Sequence, residues 1–241
     1  VVVSETEKEL GVVTVDIGAG TTSICAYVDG CLEFSGAVPI GARHITQDIA
    51  LGCRISLDAA EKVKLALGAE DLPVIQPMPG ESKEELNRRR RKADLLDLDK
   101  LGIDNGGEKL SKRTLIEGIM TPRMKEIFDL VAEKLVEQDL VGKVPAGLVL
   151  CGGGAETARI ADVARKALNL PVRIGMPKKL DGLASDIDKP SFATSIGLLT
   201  YGQRQGGGEV AQSNISLPSF GSFNLLSIGQ KIMGIIKSVL P

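Results

Sequence analysis

The sequence predicts an α/β fold, interrupted by a smaller α/β insertion and closed by an amphipathic C-terminal helix. Three observations carry that expectation. An apolar run from Gly11 to Ile17 enters the turn Gly18-Ala19-Gly20 and leaves through Thr21 and Thr22 as a second strand reaching Val28. A later apolar strand over 146–151 breaks into Gly152-Gly153-Gly154 and is followed by the helical run Ile160 to Leu168. Between these, from about Cys53 to Val144, the text changes to helix, spaced prolines and dense charge, the signature of an inserted unit.

Taken in order, alternating or apolar residues predict strands over 11–17, 23–28 and 32–39, the last two joined by the hairpin signal Asp29-Gly30. Gly18 and Gly20 are expected to turn the chain with positive φ and to admit a ligand closely. The N–H groups of that turn, with the Thr21 and Thr22 hydroxyls, suit phosphoryl oxygens. Asp16, at the strand's end, is placed to hold a hydrated Mg²⁺ through water. The plainer alternative is an ordinary glycine-rich hairpin.

A helix is expected near 41–51, and Ser56 starts another that sets Glu61 and Lys64 three apart on one face. His44, in the turn into the first of these, reads as a structural or surface residue. Pro73, Pro77 and Pro79 lead to the basic run Arg88-Arg89-Arg90-Arg91-Lys92, followed by Asp94, Asp97 and Asp99. A solvated charged face is the plain reading of that run; pairing with an acidic peptide or anionic lipid is the functional one. Thr114-Leu115-Ile116-Glu117 reads as a capping box. Pro122 must kink the helix it opens or begin a second one, with Ile127, Phe128, Val131 and Leu135 as the apolar stripe. After strand 146–151 the triple glycine lets backbone lie flat against a planar base or ribose.

In this order, the first turn, the Glu61/Lys64 helix and the triple glycine resemble the actin, heat-shock chaperone and sugar kinase superfamily. The resemblance implies an RNase H-like actin/chaperone ATPase lobe. In it Gly18, Ala19, Gly20, Thr21 and Thr22 take the β- and γ-phosphates of ATP, and Gly152, Gly153 and Gly154 with Glu61 and Lys64 take adenosine. The segments Val38 to Ala50, Ala60 to Lys64, Pro171 to Gly175 and Phe192 to Leu199 are similar to bacterial FtsA, the actin-like family that ties FtsZ filaments to the membrane during cell division. That similarity runs from about Glu7 to Tyr201 and resumes at the tail.

The FtsA resemblance implies ATP and Mg²⁺ as cofactors, self-association into filaments, and the FtsZ C-terminal tail as partner of the inserted subdomain. It also implies residence on the cytoplasmic face of the bacterial membrane at the division site, and ATPase activity that is weak at most. Family members have two lobes, and the sequence opens at Val1 without an initiator Met. The expectation is therefore a second lobe without its first, inactive alone. Ala19 and Ser23 stand where the family carries glycine and an acidic residue, which weakens the case for hydrolysis. A sugar or acetate kinase-type enzyme of the same superfamily, or another actin-like assembly scaffold, are the alternatives.

The expected organisation is a nucleotide-binding subdomain over 1–52 and 145–203, an insertion over 53–144, a flexible linker over 204–222 rich in Gly, Ser and Gln, and the helix 223–241. In that helix Phe223, Leu225, Leu226, Ile228, Ile232, Met233, Ile235, Ile236, Val239 and Leu240 fall on one side at helical spacing. Lys231 and Lys237 fall on the other, as in a helix lying in a membrane interface. A net charge of −2 over 241 residues implies no general attraction to nucleic acid. Cys25, Cys31, Cys53 and Cys151 lack metal-ligand spacing and read as thiols of a reducing compartment. No apolar run is long enough to span a bilayer.

Overall fold

A computed structural model of the chain describes residues 1–69, 75–103, 109–177 and 187–205. The linker from residue 206 onward and the expected amphipathic helix over 223–241 lie outside the described residues. Val1–Tyr201 forms one compact unit; of the second, Gly202–Pro241, Gly202 to Gln205 are described.

Ser4 opens helix α1 (Glu5–Leu10) with a reciprocal cap, its side chain accepting the Glu7 N–H while the Glu7 carboxylate accepts the Ser4 N–H. Strands β1 (Val12–Ile17), β2 (Thr22–Val28) and β3 (Cys31–Val38) then form an antiparallel meander. Asp29 and Gly30 both take positive φ, 50° and 80°, which gives the hairpin the twist of its flanking strands. Two later strands, β6 (Leu148–Cys151) and β7 (Val172–Ile174), add in parallel, so the sheet order is β3-β2-β1-β6-β7. Central position explains composition: Val12, Val13, Val15 and Ile17 of β1 are fully buried, and all four residues of β6 are buried.

Helices α2 (Ala42–Cys53) and α3 (Leu57–Ala69) follow the meander and pack on each other. The basic run lies on α4 (Lys83–Asp94), which Ser82 and Glu85 cap reciprocally and which buries none of its residues. A two-stranded sheet of β4 (Leu95–Asp97) and β5 (Lys109–Ser111) comes next, then a helical segment that leads into α5 (Thr121–Glu137). α6 (Ile160–Leu168) and α7 (Ala193–Gln205) complete the described elements. One buried cluster joins β1 and β6 to α2, α3, α5 and α6, and takes in Leu96 of β4 and Leu98 just after it. Ile127, Phe128, Val131 and Leu135 are buried in it, as the stripe predicts. Arg123 of α5 holds Asp48 of α2 through two hydrogen bonds, of 2.6 and 2.9 Å.

The capping box expected at Thr114 is not formed. Ser111 takes that role, its Oγ accepting the Thr114 N–H at 3.1 Å while its own hydroxyl donates to Asp94 at 2.6 Å. Glu117 instead faces Arg113 and Arg159. Thr114–Met120 winds as a π-helix, and the Thr121 N–H reaches back five residues to the Ile116 carbonyl. This explains how the chain stays helical through Pro122: the wide turn carries one extra residue and draws the preceding carbonyls away from the proline ring.

Candidate functional site

The glycine turn after β1 is closed by the Gly18 N–H donating to the Thr21 carbonyl at 2.9 Å. It is also gripped from outside. The first N–H groups of α2 donate to its carbonyls, Ala42 to Gly18 at 2.9 Å and Arg43 to Ala19 at 2.8 Å. Gly41 is required for that approach, because a Cβ there would lie 2.6 Å from the Gly18 oxygen. His44 serves the same junction: its Nδ1 accepts the Gly41 N–H at 3.1 Å, a structural role.

Two expectations for this turn are corrected. Gly18, Ala19 and Gly20 are not among the positive-φ residues, so the turn needs no left-handed backbone and the Ala19 Cβ meets no strain. Thr22 is fully buried and donates its hydroxyl to the Ile40 carbonyl at 2.8 Å, which removes it from any phosphate role. It is the first residue of β2, and the alternation of that strand turns its side chain inward. Asp16 accepts the Thr194 hydroxyl, which ties the end of β1 to α7. Thr21 and Gly20 are exposed.

The pair Glu61 and Lys64 is formed, at 2.8 Å, on the face of α3 that meets α2. Thr46 of α2 completes it, donating to Glu61 Oε2 at 2.6 Å and accepting from Lys64 Nζ at 3.0 Å. Lys64 also donates to the Ala42 carbonyl at 3.4 Å and is only 8 % exposed. Burial pushes the Glu61 carboxyl up, but hydrogen bonds from Lys64 and Thr46 together with the Lys64 charge outweigh it and hold the group below its ordinary 4.5.

The three glycines after β6 have separate reasons. Gly152 sits at φ +81°, and a Cβ on it would lie 2.2 Å from the Asp16 carboxylate. Gly154 lets the chain lie on Ile17, whose Cγ2 would be 2.3 Å from an added Cβ. Gly153 is different, since a Cβ there would meet only Ser191 Cβ, at 3.9 Å. Gly68 allows α3 to close on this segment, with room for no Cβ beside the Glu156 carbonyl.

Between these elements lies an open cleft of about 540 Å³, within the ordinary range for small-molecule sites. It brings together Gly18, Ala19, Glu61, Lys64, Gly153 and Gly154 from the expected set. Asp16, Gly20, Thr21, Thr22 and Gly152 are not on its lining. Sequence reasoning missed Arg43, Thr46, Asp58, Glu156 and Ser191, which also line it. The spacing Gly41-Ala42 to Thr46, which sets the threonine one turn along α2 from the glycine turn, is the sequence signal for Thr46.

The basic run is elsewhere, on α4, where Arg89 pairs with Glu81 at 2.6 Å and Arg90 reaches the Ile75 carbonyl. Among the described residues no group of three His, Cys, Asp or Glu side chains forms a metal site. No helix among them is long and apolar enough to cross a membrane. The four cysteines are unbridged, and burial pushes the Cys151 thiol up to about 12.

Sheet order, the parallel β1–β6 pair and a cleft beside their C-terminal ends define an actin-like fold. Solved structures agree. The chain is similar to MreB5 of Spiroplasma citri bound to ADP, with a TM-score of 0.56 and 21 % identity over 84 % of this chain and 56 % of that one. It is similar to a chain of the PilM-PilN type IV pilus biogenesis complex, with a TM-score of 0.52 and 19 % identity over 82 % and 47 % of the two chains. Residues 13–197 match the family "Cell division protein FtsA". The FtsA of Borreliella burgdorferi is 32 % identical over 202 residues, 84 % of this chain and 45 % of the relative. That of Neisseria meningitidis serogroup B is 34 % identical over 199 residues, 82 % and 44 % of the two. The chain belongs to the FtsA family of cell-division proteins, and spans about half the length of these curated relatives.

Proposed function

We propose that the cleft binds adenine nucleotide and that the chain works in an FtsA-type adaptor, which polymerises and anchors FtsZ filaments to the membrane. The observation that carries this reading is convergence. Gly18 and Ala19, Glu61 and Lys64, and Gly153 and Gly154, remote in sequence, meet on one cleft of the right size.

The parts fit a nucleoside phosphate. Gly153 leaves open space for a planar base or ribose, and Glu61, whose Oε2 is engaged by Lys64 and Thr46, would offer Oε1 as an acceptor for sugar hydroxyls. The Ala19 N–H, on the cleft lining, has no backbone acceptor among the described residues and suits phosphoryl oxygens. A Mg²⁺ ion would keep most of its water, with Asp16 on its outer side, because no cluster of carboxylates is present among the described residues to strip it. Bound nucleotide stabilises the conformation it fits by mass action, the lever an assembling adaptor needs.

The remaining parts extend the adaptor. The exposed arginines of α4, within the subdomain proposed over 53–144, would pair with carboxylates of the FtsZ tail. The sequence over 223–241 would supply membrane affinity, multiplied when copies assemble. The test is calorimetry of this chain with Mg-ATP. Saturable binding weaker than micromolar is expected, since the chain carries about half the length of its relatives. No saturable binding of Mg-ATP, with unchanged amide shifts of cleft residues, overturns the reading.

A further inference from the structure

Arg43 lines the cleft beside the glycine turn, and its exposed side chain has no ion-pair or hydrogen-bond partner among the described residues. We infer that Arg43 is the cation that pairs with the phosphate chain of the bound nucleotide, an inference that rests on the nucleotide reading above.

Three facts lead there. The backbone fixes the place: the Arg43 N–H donates to the Ala19 carbonyl at 2.8 Å, so the guanidinium starts from the turn that suits phosphate. The other cation on the lining is engaged. Lys64 Nζ directs its donors to the Ala42 carbonyl, the Thr46 hydroxyl and Glu61, and is nearly buried. The charge of the lining then demands a free cation. Asp58, Glu61 and Glu156 line the cleft against Arg43 and Lys64, so the lining is net acidic and repels a polyphosphate unless a positive group meets it locally.

Arg43 and Thr46 are three apart on α2 and so share one face. That spacing orders the site. Phosphates lie at the Arg43 and Ala19 end, the nucleoside at the Thr46, Glu61 and Gly153 end, and the planar guanidinium matches phosphate oxygens in pairs.

The experiment measures affinities of adenosine, AMP, ADP and ATP, with Mg²⁺ present, for the native chain and for Arg43→Gln, Arg43→Lys and Arg43→Glu. The native chain should bind more tightly as phosphates are added. Arg43→Gln should weaken ATP about tenfold and leave adenosine nearly unchanged, as loss of a charged hydrogen bond dictates. Arg43→Lys should retain more ATP affinity than Gln, and Arg43→Glu less. A shallower salt dependence of ATP binding in Arg43→Gln is the second readout. Equal losses for adenosine and ATP, or no loss for either, overturn the inference while the cleft stands. Failure of the native chain to bind all four overturns the nucleotide reading and the role of Arg43 with it.

Discussion

Replacing the glycines of Gly152-Gly153-Gly154 one at a time separates folding from binding. Gly152→Ala forces an L side chain into the left-handed region at φ +81°, a cost of about 1–2 kcal/mol. Its Cβ would also lie 2.2 Å from the Asp16 carboxylate and 2.6 Å from the Ile17 carbonyl. Relieving that overlap moves packed groups and adds about 1–3 kcal/mol. Together these amount to about 3 kcal/mol, which for a domain of this size lowers the melting temperature by about 6–12 °C. Gly153→Ala adds a methyl whose nearest neighbour is Ser191 Cβ at 3.9 Å, an ordinary contact, so its melting temperature should stay within about 2 °C of native. Binding should reverse the order. Gly153→Asp should keep the fold and abolish nucleotide binding, because a carboxylate would stand where the ligand packs. Circular-dichroism melting and calorimetry on the same samples make the comparison. Native melting in Gly152→Ala, or unfolding of Gly153→Ala alongside it, refutes the assignment of these two glycines.

Three further outcomes are expected. Glu61 is held below its ordinary 4.5 in the folded chain, so its contribution to stability is present above that pH and is lost as pH falls through the lowered value. Urea denaturation across that acid range should show the loss, and Glu61→Gln should flatten it. A peptide of the FtsZ tail should bind this chain with salt-sensitive affinity, weakened when Arg88 to Lys92 are reversed in charge; unchanged binding in the reversed variant moves the site off α4. On vesicles containing anionic lipid, the chain should float, Ile232→Glu or Ile236→Glu should release it, and Lys231→Gln should cost only about 1 kcal/mol. Flotation that survives deletion of 223–241 removes the membrane role from that segment.

Local chemistry made much of the fold legible. Asp29-Gly30 predicted the hairpin that forms, the apolar runs of β1 and β6 predicted strands, and Ile160–Leu168 appears with the bounds that its periodicity predicts. The cleft was legible through three glycine and charge signals, but Arg43, Thr46, Asp58, Glu156 and Ser191 of its lining were not. Thr46 and Arg43 belong to the site because α2 meets α3 on one side and the glycine turn on the other, and that is tertiary information. Thr22 was misread because a hydroxyl after a glycine turn looks the same whether strand alternation sends it inward or outward. The π-turn at Thr114–Met120 was invisible because it runs straight into the apolar stripe of α5, which has the ordinary helical period.

The grip of α2 on the glycine turn has a mechanical meaning. Two hydrogen bonds bind the start of this helix to the Gly18 and Ala19 carbonyls, and about 9 Å further along, Asp48 is clasped by Arg123 of α5. The helix is thus a connecting rod pinned at both ends. A shift of the turn would pull on α2 through those two hydrogen bonds, and a shift of α2 would pull on α5 through the Arg123–Asp48 pair, where the π-turn has just given way to regular helix. The mouth of the cleft thus has a hydrogen-bonded path through α2 to α5.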